Sequence, residues 1–216
     1  MKNPLRFPRG VYGVTPEWDD TDRLIAAVSA AAAGGMVALQ WRRKTASAHE
    51  GLVQARLLAQ HCQQLGLLYI INDDWRLAAM VDADGVHLGR EDGSIAQARL
   101  ALGSDKIIGC SCYNDTALAQ QALQADVDYI AFGAMYPSSV KPGAVRAKLK
   151  HIEQGRMLTE IAPHRPRTAV VAIGGITADN AEPLVRAGAD SIAMISGLFD
   201  SDDIQATAAR CQALFR

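Results

Sequence analysis

The sequence has almost no net charge, because 22 basic residues are balanced by 23 acidic ones and leave a formal charge of −1. Binding to nucleic acid or to a membrane surface through a global field requires an excess of positive charge, so we expect neither partner. The sequence also lacks any run of 18 apolar residues, and its opening stretch MKNPLRFPRG lacks the apolar segment of a signal peptide. We therefore expect a cytoplasmic protein whose anion-binding sites are local.

Cysteine is scarce, and the four cysteines of the chain contain no CxxC pair. This spacing favours neither a disulfide framework nor a zinc site. Cys110 and Cys112 alternate at the end of a β-rich run, where small buried thiols are the simplest interpretation. His87 lies inside another such run without a second metal ligand nearby in the sequence, and we interpret it as a packed histidine.

The chain contains a regular alternation of short β-rich runs and amphipathic helical stretches. The runs predict strands at residues 10–15, 36–41, 67–71, 85–89, 106–110, 128–134, 169–174 and 191–196. The helical stretches cover residues 21–33, 48–65, 74–81, 94–102, 115–125, about 147–162, 177–187 and 202–214. Most strands are continuously apolar, which is typical of parallel strands that are covered on both faces.

Eight such units in 216 residues predict a single α/β domain over residues 1–216, folded as one (β/α)8 TIM barrel. An open doubly wound sheet is the alternative, since eight units could also build that fold. That fold would be expected to carry a glycine-rich phosphate turn such as GxGxxG after the first strand, and the stretch VYGVTPEWDD has none. The barrel is therefore favoured.

Basic residues follow the second predicted strand in the sequence QWRRK, residues 40–44. Period-two alternation places Gln40, Arg42 and Lys44 on one face, whereas Trp41 lies on the other and would pack against the helices. An isolated RRK sequence is usually a solvated turn. Since the chemistry of TIM barrels lies at the carboxyl ends of the strands, this position favours an anion clamp.

The third strand ends in three polar residues, Asn72, Asp73 and Asp74, within the sequence LYIINDDWRL. Helix capping explains one such residue before an apolar run. Asp92 follows the fourth strand, and adjacent parallel strands lie about 4.8 Å apart, so Asp73 and Asp92 could reach one cation. Mg²⁺ commonly takes one or two carboxylates together with substrate phosphate oxygens. We therefore predict a Mg²⁺ site beside the anion clamp, suited to a diphosphate.

A second anion site is predicted after strands seven and eight, where AIGGIT and MISG supply glycine-rich turns. Loops after these strands form the recurrent phosphate site of TIM barrels. Gly174 and Gly175 allow the backbone to approach a ligand closely. Lys141 lies on the long connection 136–150, where it could close over a phosphate. A Schiff-base role for Lys141 is the alternative, although seven residues separate it from strand six.

Taken together, these motifs resemble the thiamine-phosphate synthase family over nearly the whole chain. The resemblance rests on QWRRK (40–44), IINDD (70–74), ADGVHLGREDG (83–93), IGCS (108–111), YPSSVK (136–141), VAIGGIT (171–177) and GADSIAMISG (188–197). It implies a transferase that joins a hydroxymethylpyrimidine diphosphate to a thiazole phosphate carboxylate and releases diphosphate. The implied mechanism is dissociative, with a pyrimidine carbocation that the thiazole nitrogen captures.

The resemblance also implies roles for individual residues. The pyrimidine diphosphate would be held by Gln40, Arg42, Lys44, Asn72, Ser111 and Lys141, of which Arg42, Ser111 and Lys141 would also act in catalysis. Mg²⁺ would be held by Asp73 and Asp92. The thiazole phosphate would be held by Ser138, Ser139, Val140, Gly175, Ile195 and Ser196. Two residues depart from the family pattern: Val140 lacks the usual hydroxyl, and Arg43 replaces an acidic residue.

Two other functions stay open at this point. A thiazole tautomerase-like isomerase shares the barrel, but the resemblance would place its catalytic histidine near Tyr113, and it works without this carboxylate pair. A noncatalytic sensor of thiamine precursors would keep the cavity and lose turnover, and Arg43 and Val140 keep that alternative open. The expected partners are small phosphorylated molecules, and the sequence leaves open whether the chain forms a homo-oligomer.

Overall fold

The computed structural model describes residues 5–137, 143–160 and 166–216, and its parallel strands close into a barrel in the order β1 to β8. The strands are β1 (Gly10–Val14), β2 (Ala38–Trp41), β3 (Leu68–Asn72), β4 (Gly85–Leu88), β5 (Ile107–Tyr113), β6 (Tyr129–Phe132), β7 (Ala169–Ile173) and β8 (Ser191–Met194). The predicted (β/α)8 TIM barrel is confirmed, and each predicted strand lies within a few residues of an observed one.

Helices surround the barrel on its outer face. They are α1 (Thr21–Ala33), α2 (Ala48–Leu65), α3 (Trp75–Met80), α4 (Ile95–Leu102), α5 (Thr116–Gln124), α6 (Leu149–Glu160), α7 (Glu182–Arg186), α8 (Ser196–Phe199) and α9 (Ile204–Gln212), followed by a 3₁₀ turn (Ala213–Phe215). Within the described part of the chain, no helix has both the length and the apolar character that a membrane crossing requires.

The strand β2 illustrates how alternation separates the two sides of the barrel. Leu39 and Trp41 face outward into the core between strands and helices, where Trp41 Nε1 donates a hydrogen bond to Gln54 Oε1 of α2 at 3.0 Å. Ala38 and Gln40 face the interior of the barrel. The predicted outward packing of Trp41 is therefore confirmed.

One predicted helix was too long and one short helix was missed, in both cases for local reasons. The helix predicted over residues 177–187 is present only at α7, because residues before it form a turn in which Asn180 Oδ1 accepts the backbone N–H of Thr177 at 2.8 Å. The short helix α8 was not predicted, since four residues provide too little periodicity for recognition.

The amino ends of three even-numbered strands, β4, β6 and β8, share a repeated contact. An aspartate just before β4, β6 and β8 accepts the backbone N–H of a residue on the preceding strand: Asp84 from Tyr69 at 2.7 Å, Asp128 from Ile108 at 2.8 Å, and Asp190 from Val170 at 2.9 Å. Val37 occupies the corresponding position before β2, where its N–H donates to Val11 O at 2.9 Å. Gln212 of α9 replaces the missing carboxylate there, since its Oε1 accepts the N–H of Val11 at 2.9 Å.

Candidate active site

A cavity of about 620 Å³ opens at the carboxyl ends of the strands. It brings together most of the predicted site residues: Gln40, Arg42, Lys44, Asn72, Asp73, Asp92, Ser111 and Ile195. Gly174 also lines it, and Gly175 and Ser196 follow lining residues directly in the chain. Ser138, Ser139, Val140 and Lys141 lie outside the described residues.

The two predicted metal ligands lie side by side. The side chains of Asp73 and Asp92 are hydrogen-bonded to each other, Lys44 Nζ lies 3.0 Å from Asp73 Oδ2, and the backbone N–H of Gly89 donates to Asp92 Oδ2 at 2.7 Å. Burial and the contact with Asp73 raise the pKa of Asp92 above its ordinary value. Burial acts to raise the pKa of Asp73 as well, but the hydrogen bond to Asp92 and the ammonium of Lys44 lower it on balance.

This donor set fits a hard divalent cation. Two carboxylates in contact with each other can hold one cation between them, and Mg²⁺ commonly takes one or two carboxylates and completes its shell with water and phosphate oxygens. Among the residues that the structure describes, no group of three or more His, Cys, Asp and Glu side chains is arranged to hold a metal ion. The remaining ligands would therefore come from water and substrate.

Asp74 plays the capping role that was predicted for this cluster. Its Oδ1 accepts the backbone N–H groups of Arg76 and Leu77 at 2.9 and 3.0 Å, at the start of α3. The preceding residue, Asp73, has a backbone φ of 66°, a left-handed conformation that aspartate tolerates better than most residues. The two neighbouring carboxylates therefore have different roles: Asp74 caps α3, whereas Asp73 lines the cavity.

Glu17, on the loop after β1, holds the residues of the predicted anion clamp in place, and sequence reasoning missed it. Its carboxylate accepts from Arg42 Nη1 at 2.9 Å, from the backbone N–H of Lys44 at 3.0 Å and from Thr45 Oγ1 at 3.1 Å. Arg43 instead pairs with Asp19 and does not line the cavity. The only signal in the sequence was the acidic stretch TPEWDD after the first strand.

A chain of hydrogen bonds runs through the barrel interior beneath the cavity. Gln40 Nε2 donates to Tyr12 Oη at 2.7 Å, Tyr12 Oη lies 2.9 Å from Tyr129 Oη, Tyr129 Oη lies 2.9 Å from His87 Nδ1, and His87 Nε2 lies 2.8 Å from Ser111 Oγ. We call these five residues the interior chain. His87 is packed as predicted, with its ring stacked on Tyr129 at 5.5 Å, but it also connects two predicted substrate-binding side chains.

The predicted phosphate turn after β7 is held by side chains. Asn180 Nδ2 donates to Gly175 O at 3.0 Å, and Tyr136 Oη donates to Asn180 O at 2.8 Å. Gly175 has a φ of 63°, and a Cβ there would lie 2.3 Å from Pro137 O. The close packing of these two loops therefore requires glycine at residue 175.

A tyrosine and an arginine line the cavity on the β4–β5 side. Tyr113 ends β5 with a φ of 53°, and its Oη accepts the backbone N–H of Arg90 at 3.3 Å. The guanidinium of Arg90 lies 5.3 Å from the centre of the Tyr113 ring. Arg90 therefore adds a positive charge to the cavity lining that sequence reasoning did not identify.

Comparison with known proteins places this geometry in a family. Residues 11–198 match the family model described as thiamine monophosphate synthase. The thiamine-phosphate synthase of Bordetella pertussis is 54% identical over 211 residues, which cover 98% of this chain and 97% of that protein. The thiamine-phosphate synthase of Thiobacillus denitrificans is 48% identical over 209 residues, which cover 97% of this chain and 96% of that protein.

Solved structures give the same fold. Thiamine phosphate pyrophosphorylase from Pyrococcus furiosus superposes with a TM-score of 0.80 at 30% identity, covering 97% of this chain and 96% of that one. Orotidine 5'-phosphate decarboxylase from Pyrococcus horikoshii superposes with a TM-score of 0.67 at 12% identity, covering 95% of this chain and 99% of that one, a likeness of fold alone.

Proposed function

We propose a reaction for this protein from one premise, that the chain belongs to the thiamine monophosphate synthase family and is a transferase. It joins 4-amino-2-methyl-5-(diphosphooxymethyl)pyrimidine to a thiazole phosphate carboxylate, and the products are thiamine phosphate, diphosphate and CO₂. The observation that carries the proposal is the Asp73–Asp92 carboxylate pair beside Lys44 in one cavity. The chain acts as one cytoplasmic domain on small phosphorylated molecules.

The proposed mechanism is dissociative. The C–O bond between the pyrimidine methylene and diphosphate breaks first, and the thiazole nitrogen captures the resulting carbocation. The C–C bond to the carboxylate then breaks, CO₂ leaves, and the electron pair left on the heterocycle takes up a proton from solvent. Such a step depends on stabilising the departing negative charge more than on removing a proton. Mg²⁺ bound by Asp73 and Asp92 would supply positive charge to the leaving diphosphate. Arg42 and Lys44 bind the same group, whereas Gln40 and Ser111 orient the pyrimidine ring.

An assay of diphosphate release from both substrates, with and without Mg²⁺, tests this function. A synthase releases diphosphate together with thiamine phosphate when both substrates are present, and chelation of Mg²⁺ abolishes the release. An isomerase of thiazole phosphate carboxylate would release none, and a sensor would bind the substrates without turnover. Either result would reject the proposed reaction.

Arg42→Ala is expected to weaken binding of the pyrimidine diphosphate by roughly 10- to 100-fold, since a hydrogen bond to a charged group is worth about 1.5–3 kcal/mol. Its effect on thiazole phosphate affinity should be small. Arg43→Ala is the matched control, because the neighbouring guanidinium pairs with Asp19 and does not line the cavity. Calorimetric titration with each ligand measures both affinities, and a loss confined to thiazole phosphate would reverse the assignment. Lys141→Ala should behave like Arg42→Ala, although Lys141 lies outside the described residues.

Gly175→Ala should have the opposite selectivity and weaken thiazole phosphate binding by about tenfold, or 1.4 kcal/mol. The reason is the predicted clash with Pro137 O together with the left-handed backbone, which strains a residue that has a Cβ. Gly66→Ala is the control, since Gly66 has a similar φ of 67° at the end of α2 with nothing within 4 Å of the added Cβ. The same titrations decide the question, and unchanged thiazole phosphate affinity in Gly175→Ala would remove Gly175 from the site.

A further inference from the structure

Four of the five residues of the interior chain are buried. Tyr129 is 0% exposed, Tyr12 is 1% exposed, Gln40 is 3% exposed and His87 is 8% exposed. Buried polar groups are almost always hydrogen-bonded, because an unmade bond there costs more than the bond itself contributes. Each link therefore constrains the next, from Gln40 on β2 to Ser111 on β5.

The two tyrosines have little freedom to find other partners. The ring of Phe7 packs beneath them, with its centre 4.9 Å from that of Tyr12 and 4.3 Å from that of Tyr129. Burial raises the pKa of Tyr12 and of Tyr129 well above the ordinary value of a phenol. Both hydroxyl groups therefore keep their single hydrogen and must direct it along the interior chain.

The available hydrogens fix the direction in which hydrogen bonds are donated along the interior chain. The amide nitrogen of Gln40 can only donate, so Tyr12 Oη accepts that hydrogen and directs its own to Tyr129. Tyr129 then donates to His87 Nδ1, which leaves the ring hydrogen on Nε2. That hydrogen is donated to Ser111 Oγ.

The two ends of the interior chain then meet the cavity with defined and different chemistry. Gln40 presents its carbonyl oxygen, an acceptor, because its amide nitrogen is committed to Tyr12. Ser111 directs its hydroxyl hydrogen to the cavity, since its oxygen accepts from His87, and the second lone pair of that oxygen stays available. Reversing the amide of Gln40 would require every link of the interior chain to reverse.

We propose that Tyr12, Tyr129 and His87 are positioning residues that fix this acceptor–donor pattern and thereby select a 4-aminopyrimidine over its 4-oxo analogue. The inference rests on the proposed function. An exocyclic amine donates and the adjacent ring nitrogen accepts, which complements an acceptor at Gln40 and a donor at Ser111. In the 4-oxo ring the exocyclic oxygen meets the carbonyl oxygen of Gln40 with no hydrogen between them, so that contact fails, whereas Ser111 Oγ can still accept the ring N–H through its second lone pair. A site built to hydrogen-bond one pattern discriminates strongly against a ligand that lacks it.

The first test determines the direction of hydrogen-bond donation along the interior chain in the free protein, without substrate. Nitrogen-15 NMR of histidine-labelled protein reports which ring nitrogen carries the hydrogen, and the His87→Gln spectrum assigns the His87 signals among five histidines. In neutral His87 we expect the hydrogen on Nε2. Tyr129→Phe should lose that preference, whereas the control Tyr69→Phe should retain it. A hydrogen on Nδ1, or a mixture of tautomers in the unmodified protein, overturns the proposal.

Tyr69 is a matched control because it is 2% exposed and its Oη donates to Ala55 O at 2.9 Å on the outer side of the barrel. Its hydroxyl is therefore as buried as that of Tyr129 but makes no contact with the interior chain. Removing either hydroxyl costs a buried hydrogen bond, so a purely structural effect would be similar in both variants.

The second test measures selectivity as the ratio of kcat/KM for the 4-amino substrate to that for its 4-oxo analogue. Tyr129→Phe should lower this ratio by about tenfold or more, mainly through loss of activity on the 4-amino substrate, whereas Tyr69→Phe should leave the ratio unchanged. A wild-type ratio in folded Tyr129→Phe overturns the proposal. Tyr12→Phe cuts the next link and replaces Tyr129→Phe if thermal unfolding shows that the latter is not folded.

The two proposals fail in different ways. If the unmodified protein forms no thiamine phosphate, the proposed function is wrong, and the tautomer of His87 still decides the direction of the interior chain. If turnover is normal but His87 carries its hydrogen on Nδ1, the function stands and the specificity argument falls.

Discussion

Asp73→Asn and Asp92→Asn should each reduce Mg²⁺-dependent turnover by roughly 100- to 1,000-fold while the barrel remains folded. The two carboxylates contact each other at the cavity, and an amide in place of either removes a negative charge that holds the cation. Loss of one group that stabilises developing charge costs about 2.7–4 kcal/mol in comparable enzymes. Steady-state assays across a Mg²⁺ titration measure the loss, and calorimetric titration with Mg²⁺ and diphosphate measures metal affinity directly.

Asp74→Asn provides the control for these variants. Asparagine is as good an N-cap as aspartate, so this change at the start of α3 should leave both activity and stability near those of the unmodified protein. Near-normal turnover in both Asp73→Asn and Asp92→Asn would reject the two-carboxylate site. A loss in Asp74→Asn as large as in its neighbour would mean that the segment, and not the cation, is the cause.

A second large effect is expected at the opposite end of the barrel, where Asp190→Asn should lower the free energy of unfolding by about 3–5 kcal/mol. Asp190 is 1% exposed, and its carboxylate lies 2.6 Å from Arg167 Nη2 and 3.0 Å from Arg156 Nη1. An amide can still accept the N–H of Val170, but it leaves the arginine charges without their buried partner. Urea unfolding followed by circular dichroism measures the change.

Asp84→Asn is the matched control, because Asp84 makes the same backbone contact with Tyr69 in an exposed setting. Its loss should be about 1 kcal/mol or less. Equal losses in Asp84→Asn and Asp190→Asn would assign the effect to the backbone contact. In that case the ion pairs would contribute little to the stability of the barrel.

The parts of the fold that could be predicted from the sequence follow from local rules. Parallel strands that are covered on both faces appear as short apolar runs, and eight such runs separated by helical stretches leave few architectures open. Trp41 and Gln40 could be assigned to opposite sides by alternation alone. Asp73 and Asp92 could be brought together because the carboxyl ends of neighbouring parallel strands meet at one end of a barrel.

The interior chain could not be predicted in the same way. Tyr12 and Tyr129 lie on strands that are not neighbours, and 117 residues separate them in the sequence. Which inward side chains meet across a barrel depends on the stagger of all the strands, which no single strand encodes. Glu17 was missed for a related reason, since an acidic loop residue has no periodic pattern to distinguish it.

The contact between Gln212 and Val11 has a consequence for how the chain is made. A ribosome adds about 5–20 residues per second, so the 201 residues between these partners represent roughly 10–40 seconds of translation. During that interval the backbone N–H of Val11 lacks its final acceptor, and β1 also lacks its neighbour β8. Closure of the barrel therefore cannot precede the synthesis of β8, and β1 gains its last hydrogen-bond acceptor only after Gln212 of α9 has also left the ribosomal tunnel.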